Sequence, residues 1–281
     1  MHIILYMITF PNAKINLGLN IVSKRNDGFH NIESVFYPVA WSDILEIVPS
    51  KEFSFGCSGL PIPGETKNNL IIKAFELIKN ENLLNIDAQI AIHLHKILPM
   101  GAGIGGGSSD GAFALKTINE IFSIGISEDH LQKLAGKLGS DCPFFIKNEV
   151  AFCTGKGDVF EKIDFSLKGK YLVLVNPQVH VSTAEAYSGI QPKSPEISIP
   201  EILKMPFEQW KNYLKNDFEE RIIKNYPKIG QTKEQLYKIG AAYASMTGSG
   251  STVYGIFEEL PKIDFSEYFV GAIVWEGLAQ Q

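Results

Sequence analysis

Leu98-Pro99-Met100-Gly101-Ala102-Gly103-Ile104-Gly105-Gly106-Gly107-Ser108-Ser109-Asp110 sets five glycines into the seven positions from Gly101 to Gly107. Glycine has no Cβ, so its backbone reaches positive φ and another group can come close to its N–H. A run of such residues can curl its amides around an anion. Directly behind it, Ala114, Leu115, Ile118, Ile121 and Phe122 keep the spacing of one helix face. The first amides of that helix have no intrahelical partner, and its dipole is positive at the same end. The stretch from Pro99 to Ser109 is therefore expected to hold the phosphates of a nucleotide.

Gly101, Gly103 and Gly106 satisfy G-x-G-x-x-G, yet a dinucleotide site also needs a buried parallel strand before the loop and an acid roughly 20 residues on. Here Ala88, Ile90, Ile92 and Leu94 alternate with Gln89, Ala91, His93 and His95, which marks a strand with one wet face. The acids downstream, Glu128 and Asp129, open a helix instead of ending a strand. A P-loop needs Gly-Lys followed by Ser or Thr, and no Gly-Lys pair of this chain is so followed. A flexible linker is out of place between two strongly patterned elements.

The 281 residues suit one large or two modest domains, and 45% hydrophobic content supplies a real core. A net charge of -5 without a basic run argues against nucleic acid or a membrane surface as partner. Any attraction for a polyanion must then come from local amides and a few lysines. Cys57, Cys142 and Cys153 are odd in number and form no C-x-x-C, which points to a reducing, cytoplasmic setting without disulfides or zinc. Met1 to Phe10 is apolar but lacks a basic flank and a cleavage site, so it reads as a strand, with residues before Met7 as a possible extension.

Along the chain, Ala13, Ile15, Leu17, Leu19 and Ile21 alternate with Lys14, Asn16, Gly18 and Asn20 on the opposite strand face. Lys14 reads either as a solvated strand charge or, with Asn16 beside it, as part of a polar floor. Asn26-Asp27-Gly28 is expected to turn a hairpin through positive φ, returning as a strand from Phe29 to Val39. Phe29 and His30 stand at its rim, either as a minor aromatic with an exposed polar neighbour or as a pair that stacks on and bonds a flat ring. Asp43 to Val48 reads as a strand and Gly56 to Glu65 as a loop. Asn68 or Asn69 then caps a helix with Ile71, Ala74, Phe75 and Ile78 inside. His93 and His95 share a wet face, and with no third ligand in the vicinity a metal site is not expected there.

Ser127 caps a helix buried through Leu131, Leu134, Ala135 and Leu138, and Gly139 stops it. Asp141 follows, with Pro143 holding Cys142 extended; the acid either caps a turn or is held at a cleft. A composition change at Gly155 to Asp158 divides the chain into an N-terminal domain, 1–157, and a C-terminal one, 158–281. Beyond it the pattern gives a buried strand from Tyr171 to Val175 and a short helix from Ser182 or Thr183 carrying Tyr187. Helices follow over 206–226 (one or two) and 227–239. Thr247 to Ser251, between 241–246 and 252–257, reads as a tight glycine hairpin.

Three of these segments together resemble the signature motifs of the GHMP small-molecule kinases: Pro11-Asn12-Ala13-Lys14-Ile15-Asn16-Leu17, then Pro99 to Ser109, then Met246-Thr247-Gly248-Ser249-Gly250. Asp27-Gly28-Phe29-His30 and Gly139-Ser140-Asp141-Cys142-Pro143-Phe144 bring the likeness closest to the branch that acts on diphosphocytidyl-methylerythritol in the non-mevalonate isoprenoid pathway. The resemblance implies an α+β fold of two domains with the active site in the cleft between them. It implies ATP at Pro99, Met100, Gly101, Ala102, Gly103, Ile104, Gly105, Gly106, Gly107, Ser108 and Ser109, with Asn69 and Lys96 lining the adenosine pocket. Lys14 and Asp141 resemble the catalytic pair and Asn16 a substrate contact. Phe29, where the family usually has tyrosine, resembles a base-stacking residue, with His30, Tyr187 and Thr183 around the cytidine. Mg²⁺ is implied with ATP, its ligands unassigned although Ser108 or Ser109 could reach it. Gly111 and Ser251 depart from the family's alanine. A cytidine-diphosphate-linked alcohol would be the partner of a monomer or homodimer. The rivals are a sibling kinase for mevalonate, homoserine or a sugar, and a sensor of the same fold without chemistry.

Overall fold

The computed structural model describes residues 7–281, so the expectation for 1–6 lies outside the described residues. The chain opens with β1 (Met7–Thr9), β2 (Asn12–Lys24), β3 (His30–Ser42), β4 (Ile44–Ser50) and β5 (Ser54–Gly59). Next come α1 (Leu70–Asn80), β6 (Gln89–Lys96), α2 (Gly106–Ile121), α3 (Glu128–Leu138) and α4 (Phe144–Lys147). They are followed by β7 (Ala151–Thr154), β8 (Val159–Lys162), β9 (Tyr171–Asn176), α5 (Thr183–Tyr187), α6 (Ile199–Ile202) and α7 (Phe207–Tyr213). The last are α8 (Glu219–Asn225), α9 (Pro227–Lys238), β10 (Tyr243–Met246), β11 (Val253–Phe257), α10 (Phe265–Tyr268) and β12 (Ile273–Leu278).

Two compact units share this chain. The first takes the chain up to Ala13, Trp41–Met100 and Gly105–Asn148; the second takes Lys14–Ala40, Gly101–Ile104 and Glu149–Gln281. In the first, a sheet of order β1-β4-β6-β5 is covered by helices. β6 turns Ile90, Ile92 and Leu94 inward and leaves His93 and His95 exposed, as its alternation predicts. Both imidazoles meet the Ser58 hydroxyl at 2.9 Å. α2 packs against α1 and β4, burying Ala114, Leu115 and Ile118 completely. Each full burial of a leucine or isoleucine contributes about 1.5–3 kcal/mol relative to exposure. Gly111 has its own reason to depart from alanine: a Cβ there would stand 2.9 Å from Leu70 Cβ of α1.

Two expectations are corrected in this unit. Residues 56–59, the start of the Gly- and Pro-rich stretch Gly56 to Glu65 expected as a loop, belong instead to β5, which pairs parallel to β6. Its side chains are mostly exposed, so backbone pairing builds the strand and leaves no apolar alternation to read. Cys142 is not extended: its N–H donates to Gly139 O at 3.2 Å and its carbonyl accepts from Phe145 N, giving consecutive turns into α4. Gly139 does end α3, but with φ 177° it is in extended backbone that any residue adopts.

The second unit contains most of the sheet β2-β3-β7-β8 and all of β10-β11-β9-β12. Leu19, Ile21, Val173, Val175, Phe218, Ile222 and Leu236 meet in its core. The turn between β2 and β3 takes positive φ at Gly28 alone among its three residues, with Arg25 N donating to Phe29 O. Gly155 to Asp158, where the composition shifts, is the turn of the β7-β8 hairpin inside this unit. The expected helical stretch 206–226 is two helices, α7 and α8. Short α6 and α10 and the final strand β12 left no pattern in the sequence long enough to read.

Asn69, one of two candidates for the cap of α1, is the one that takes the role: its side-chain oxygen accepts from Ile71 N at 2.9 Å. Asn69→Ala is expected to cost about 1 kcal/mol of stability. The expected sign is a lower urea midpoint at unchanged slope, with Asn69→Asp keeping most of the wild-type value.

Candidate active site

The glycine run has the conformation its composition demands. Gly101, Gly103 and Gly105 take φ of +63°, +78° and +73°, while the intervening Ala102 and Ile104 are buried. Gly105 is the N-cap of α2 and supplies no side-chain bond, so the opening amides of that helix have neither a helical nor a capping partner. Ser109 N already donates to Gly105 O at 2.9 Å. Ser109 Oγ is buried and finds no hydrogen-bond partner among the described residues. Uncapped amides, a helix dipole and an idle hydroxyl suit phosphate oxygens. Among the described residues no group of three His, Cys, Asp or Glu could hold a metal.

Lys14 and Asn16 sit together in the second unit, and neither faces water: they are 3% and 2% exposed. Lys14 Nζ donates to Asn16 Oδ1 at 2.6 Å and lies 4.5 Å from the centre of the Phe36 ring. Asn16 is fixed from every side. Its Nδ2 donates to Ser34 Oγ at 2.8 Å, its N–H to Thr247 Oγ1 at 2.9 Å, and its carbonyl accepts from Tyr254 OH at 2.9 Å. Thr247 Oγ1 lies 3.2 Å from both Asn16 Oδ1 and Gly103 O, and its single proton can serve one of them. Lys14 N–H donates to Ile104 O at 2.9 Å.

Residues of all three sequence motifs thus converge within one unit. Thr247 to Ser251 is the expected hairpin, joining antiparallel β10 and β11. It is also more than that. A Cβ on Gly103 would stand 2.1 Å from Thr247 O, so the turn lies directly on the glycine run. Asn216, which no sequence pattern singles out, donates from Nδ2 to Met246 O and Gly248 O at 2.8 Å each and holds the turn from behind.

Asp141 belongs to the first unit, in the turn between α3 and α4. Its neighbour Cys142 is buried, and burial pushes that thiol up to about 12; the Ser108 side chain bonded to it pulls the other way and the Asp141 charge adds to the rise. Ser108 and the Ser140-Asp141-Cys142 turn are therefore neighbours, which joins the helix start to the candidate acid.

Lys96, expected at an adenosine pocket, is 1% exposed, with Nζ 2.5 Å from Asp43 Oδ2 and 2.6 Å from Asp110 Oδ2. Burial pushes the Asp110 carboxyl up to about 7, against the pull of Lys96 and with the push of Asp43. Sequence reasoning passed over both acids. Asn69 commits its side-chain oxygen to the cap described above.

Around the other candidate pocket, in the second unit, His30 and Tyr187 stack with ring centres 5.0 Å apart and 22° between planes. Phe218 meets Tyr187 edge-on at 4.8 Å. Phe29 is 53% exposed, with Lys156 Nζ 5.3 Å from its ring centre. Thr183 is the exposed first residue of α5, whose cap is Ser182.

Comparison with known proteins places this geometry. Residues 69–149 match the model of the GHMP kinases N terminal domain, and residues 196–266 that of the GHMP kinases C terminal domain. A protein of Parabacteroides distasonis named 4-diphosphocytidyl-2-C-methyl-D-erythritol kinase is 48% identical over 96% of this chain and 99% of its own length. One of the same name from Bacteroides thetaiotaomicron is 51% identical over 92% of this chain and 96% of its own. Among solved structures, a 4-(cytidine 5'-diphospho)-2C-methyl-D-erythritol kinase superposes with a TM-score of 0.82 at 24% identity, over 98% of this chain and all of the other. A mevalonate kinase reaches 0.70 at 14% identity over 99% and 100%. These two structures share the fold.

Gly103→Ala puts a methyl group into the Thr247 carbonyl at a φ that side chains avoid, so the turn and the loop must part. Nucleotide affinity is expected to fall by about 100-fold, measured by calorimetric titration with ATP. Gly64→Ala, also at positive φ but with open space around it, should bind ATP as the wild type does.

Proposed function

The chain belongs to the GHMP kinase family, among relatives named 4-diphosphocytidyl-2-C-methyl-D-erythritol kinase, and on that premise we propose that it transfers the γ-phosphoryl group of ATP to the 2-hydroxyl of 4-(cytidine 5'-diphospho)-2-C-methyl-D-erythritol. The observation that supports the chemistry is the convergence of Lys14, Asn16, Gly103 and Thr247 in one hydrogen-bonded cluster. The substrate rests on relatives about half identical over nearly the whole chain. The reaction makes the protein a step of isoprenoid precursor synthesis, working in the cytoplasm as a monomer or homodimer.

Phosphoryl transfer through a loose transition state asks for position and charge more than for covalent help. The amides opening α2 and the glycine run would hold the phosphate oxygens in place without reorganising. Lys14, fixed by Asn16, would face the charge that develops on the transferred group. Asp141 would orient the acceptor hydroxyl and take its proton late. Phe29, His30, Thr183 and Tyr187 would hold the cytidine, and Asn16 the alcohol. Mg²⁺ would be held at the Ser109 hydroxyl, which is buried without a partner among the described residues, or at the Ser108 hydroxyl, and would neutralise phosphate charge.

The test is ATP consumption by the purified protein offered the cytidylated alcohol, mevalonate, homoserine or galactose in turn. Turnover with the first alone is the expected result. Consumption with another acceptor replaces the substrate, and consumption with none removes the chemistry. Asp141→Asn should lower kcat by about 10³-fold or more while ATP affinity stays within twofold. Near-normal turnover in that variant takes Asp141 out of the mechanism.

A further inference from the structure

One buried cation lies between two buried carboxylates in the first unit, and nothing in the transfer step uses them. Lys96 Nζ is 2.5 Å from Asp43 Oδ2 and 2.6 Å from Asp110 Oδ2, and the side chains are 0%, 0% and 4% exposed. A trio of this kind gives little stability that well-packed apolar residues would not, because withdrawing three charges from water offsets their attraction. What it gives is a fixed arrangement, since each member is useless elsewhere.

The arrangement is tied to the glycine loop at both ends. Asp43 Oδ1 accepts from Ile97 N at 2.5 Å and Leu98 N at 2.8 Å, the two residues that lead the chain out of β6. Asp110 stands in the second turn of α2, and Lys96 Nζ lies 3.4 Å from where a Cβ on Gly106 would be, beside Leu98 Cβ at 3.2 Å. Lys96 thus ties the exit of the strand, through Asp43, to the start of the helix, through Asp110. Glycine loses more freedom on ordering than any other residue, so a loop of five glycines is the segment that most needs its ends fixed.

We propose that Asp43, Lys96 and Asp110 are positioning residues of the nucleotide site, clamping both ends of the glycine-rich loop so that the amides of Gly105 to Ser108 keep one geometry for a phosphate. Lys96 then acts through the loop and does not touch the nucleotide. The inference rests on the kinase reading for its ligand and on the bonds above for its mechanism.

The experiment compares wild type with Asp43→Asn, Lys96→Met, Asp110→Asn and the double variant Lys96→Met with Asp110→Leu, which keeps the site filled and leaves Asp43, bonded to the amides of Ile97 and Leu98, as its one ionisable group. For each, KM for ATP, KM for the cytidylated alcohol, kcat, and hydrogen exchange of the amides of 105–109 in nucleotide-free protein are measured. All four variants are expected to raise KM for ATP by about tenfold or more and to speed exchange at 105–109, with KM for the alcohol within twofold of wild type. The double variant, which melts cooperatively, shows that the effect is not unfolding. A raised KM for ATP in the Lys96 variants alone means that Lys96 binds the nucleotide directly and overturns the proposal. Lower yield or melting temperature with unchanged KM and unchanged exchange reduces the trio to a fold element and overturns it as well. Wild type that spends no ATP on the alcohol defeats the kinase reading instead; exchange at 105–109 then still decides the clamp, supporting it if faster in the variants and overturning it if unchanged.

Discussion

The absence of one side chain governs the polar centre of the second unit. Gly103 can lie against the Thr247 carbonyl only because nothing projects from its Cα, and its positive φ turns the loop into that contact. With the turn seated there, the Thr247 hydroxyl reaches Asn16, and Asn16 in turn receives Lys14. Removing the space would not delete a bond. It would displace the turn that carries the Thr247 hydroxyl to Asn16, which is why packing density and polar satisfaction cannot be treated separately here. Gly106 and Gly111 are bare for a different reason: both are helical, and both let α2 approach a neighbour, Leu98 in one case and Leu70 in the other. One composition signal therefore contains two physical demands, conformation at the loop and closeness at the helix.

Charge makes the same point from another side. A chain of net charge -5 offers a nucleotide no long-range attraction. The first turn of α2 carries no acid to repel phosphate and no lysine to draw it. On the proposed reading, backbone dipoles at this helix start would hold the phosphates, with Lys14 the one charge assigned to the transferred group, and dipoles act only at short range and in the right orientation. Precision in the backbone thus takes the place of charge, so residues that hold backbone matter as much as residues that would touch ligand. Asn216, which grips the Met246 and Gly248 carbonyls on either side of Thr247, is one such residue in the second unit.

Local pattern revealed what local pattern contains. The alternation from Ala13 to Ile21 gave the strand and set Lys14 and Asn16 on one face, but it could not tell that this face is also buried, since burial of the second face depends on the turn at 247–250 more than two hundred residues later. Helical spacing found α1, α2 and α3 with most of their inward residues, Leu138 being only half-buried, and cap chemistry found Ser127 and narrowed the cap of α1 to Asn68 or Asn69. Asp43 and Asp110 escaped because each looks ordinary alone: an acid at the start of a strand, another inside a helix. Their meaning lies in Lys96, 53 residues from one and 14 from the other. β5 escaped because an exposed edge strand is made by backbone pairing, which leaves no mark on side-chain order.

Geometry also constrains how a flat base could enter the aromatic site. Atoms in contact need about 3.5 Å, so a ring held between two others requires about 7 Å between them. His30 and Tyr187 stand 5.0 Å apart, stacked on each other, and leave no room for a third ring. A base between them must part the pair. Tyr187 is the less free of the two: Phe218 braces its ring, and Phe218 N is itself bonded to the Asn216 side chain at 3.0 Å. His30 is the first residue of β3, half-buried and next to a turn. Entry of a base would therefore part His30 from Tyr187. A small aliphatic alcohol has no flat face with which to replace the stacking it would disrupt, so on the proposed reading the closed pair would itself disfavour acceptors without an aromatic group.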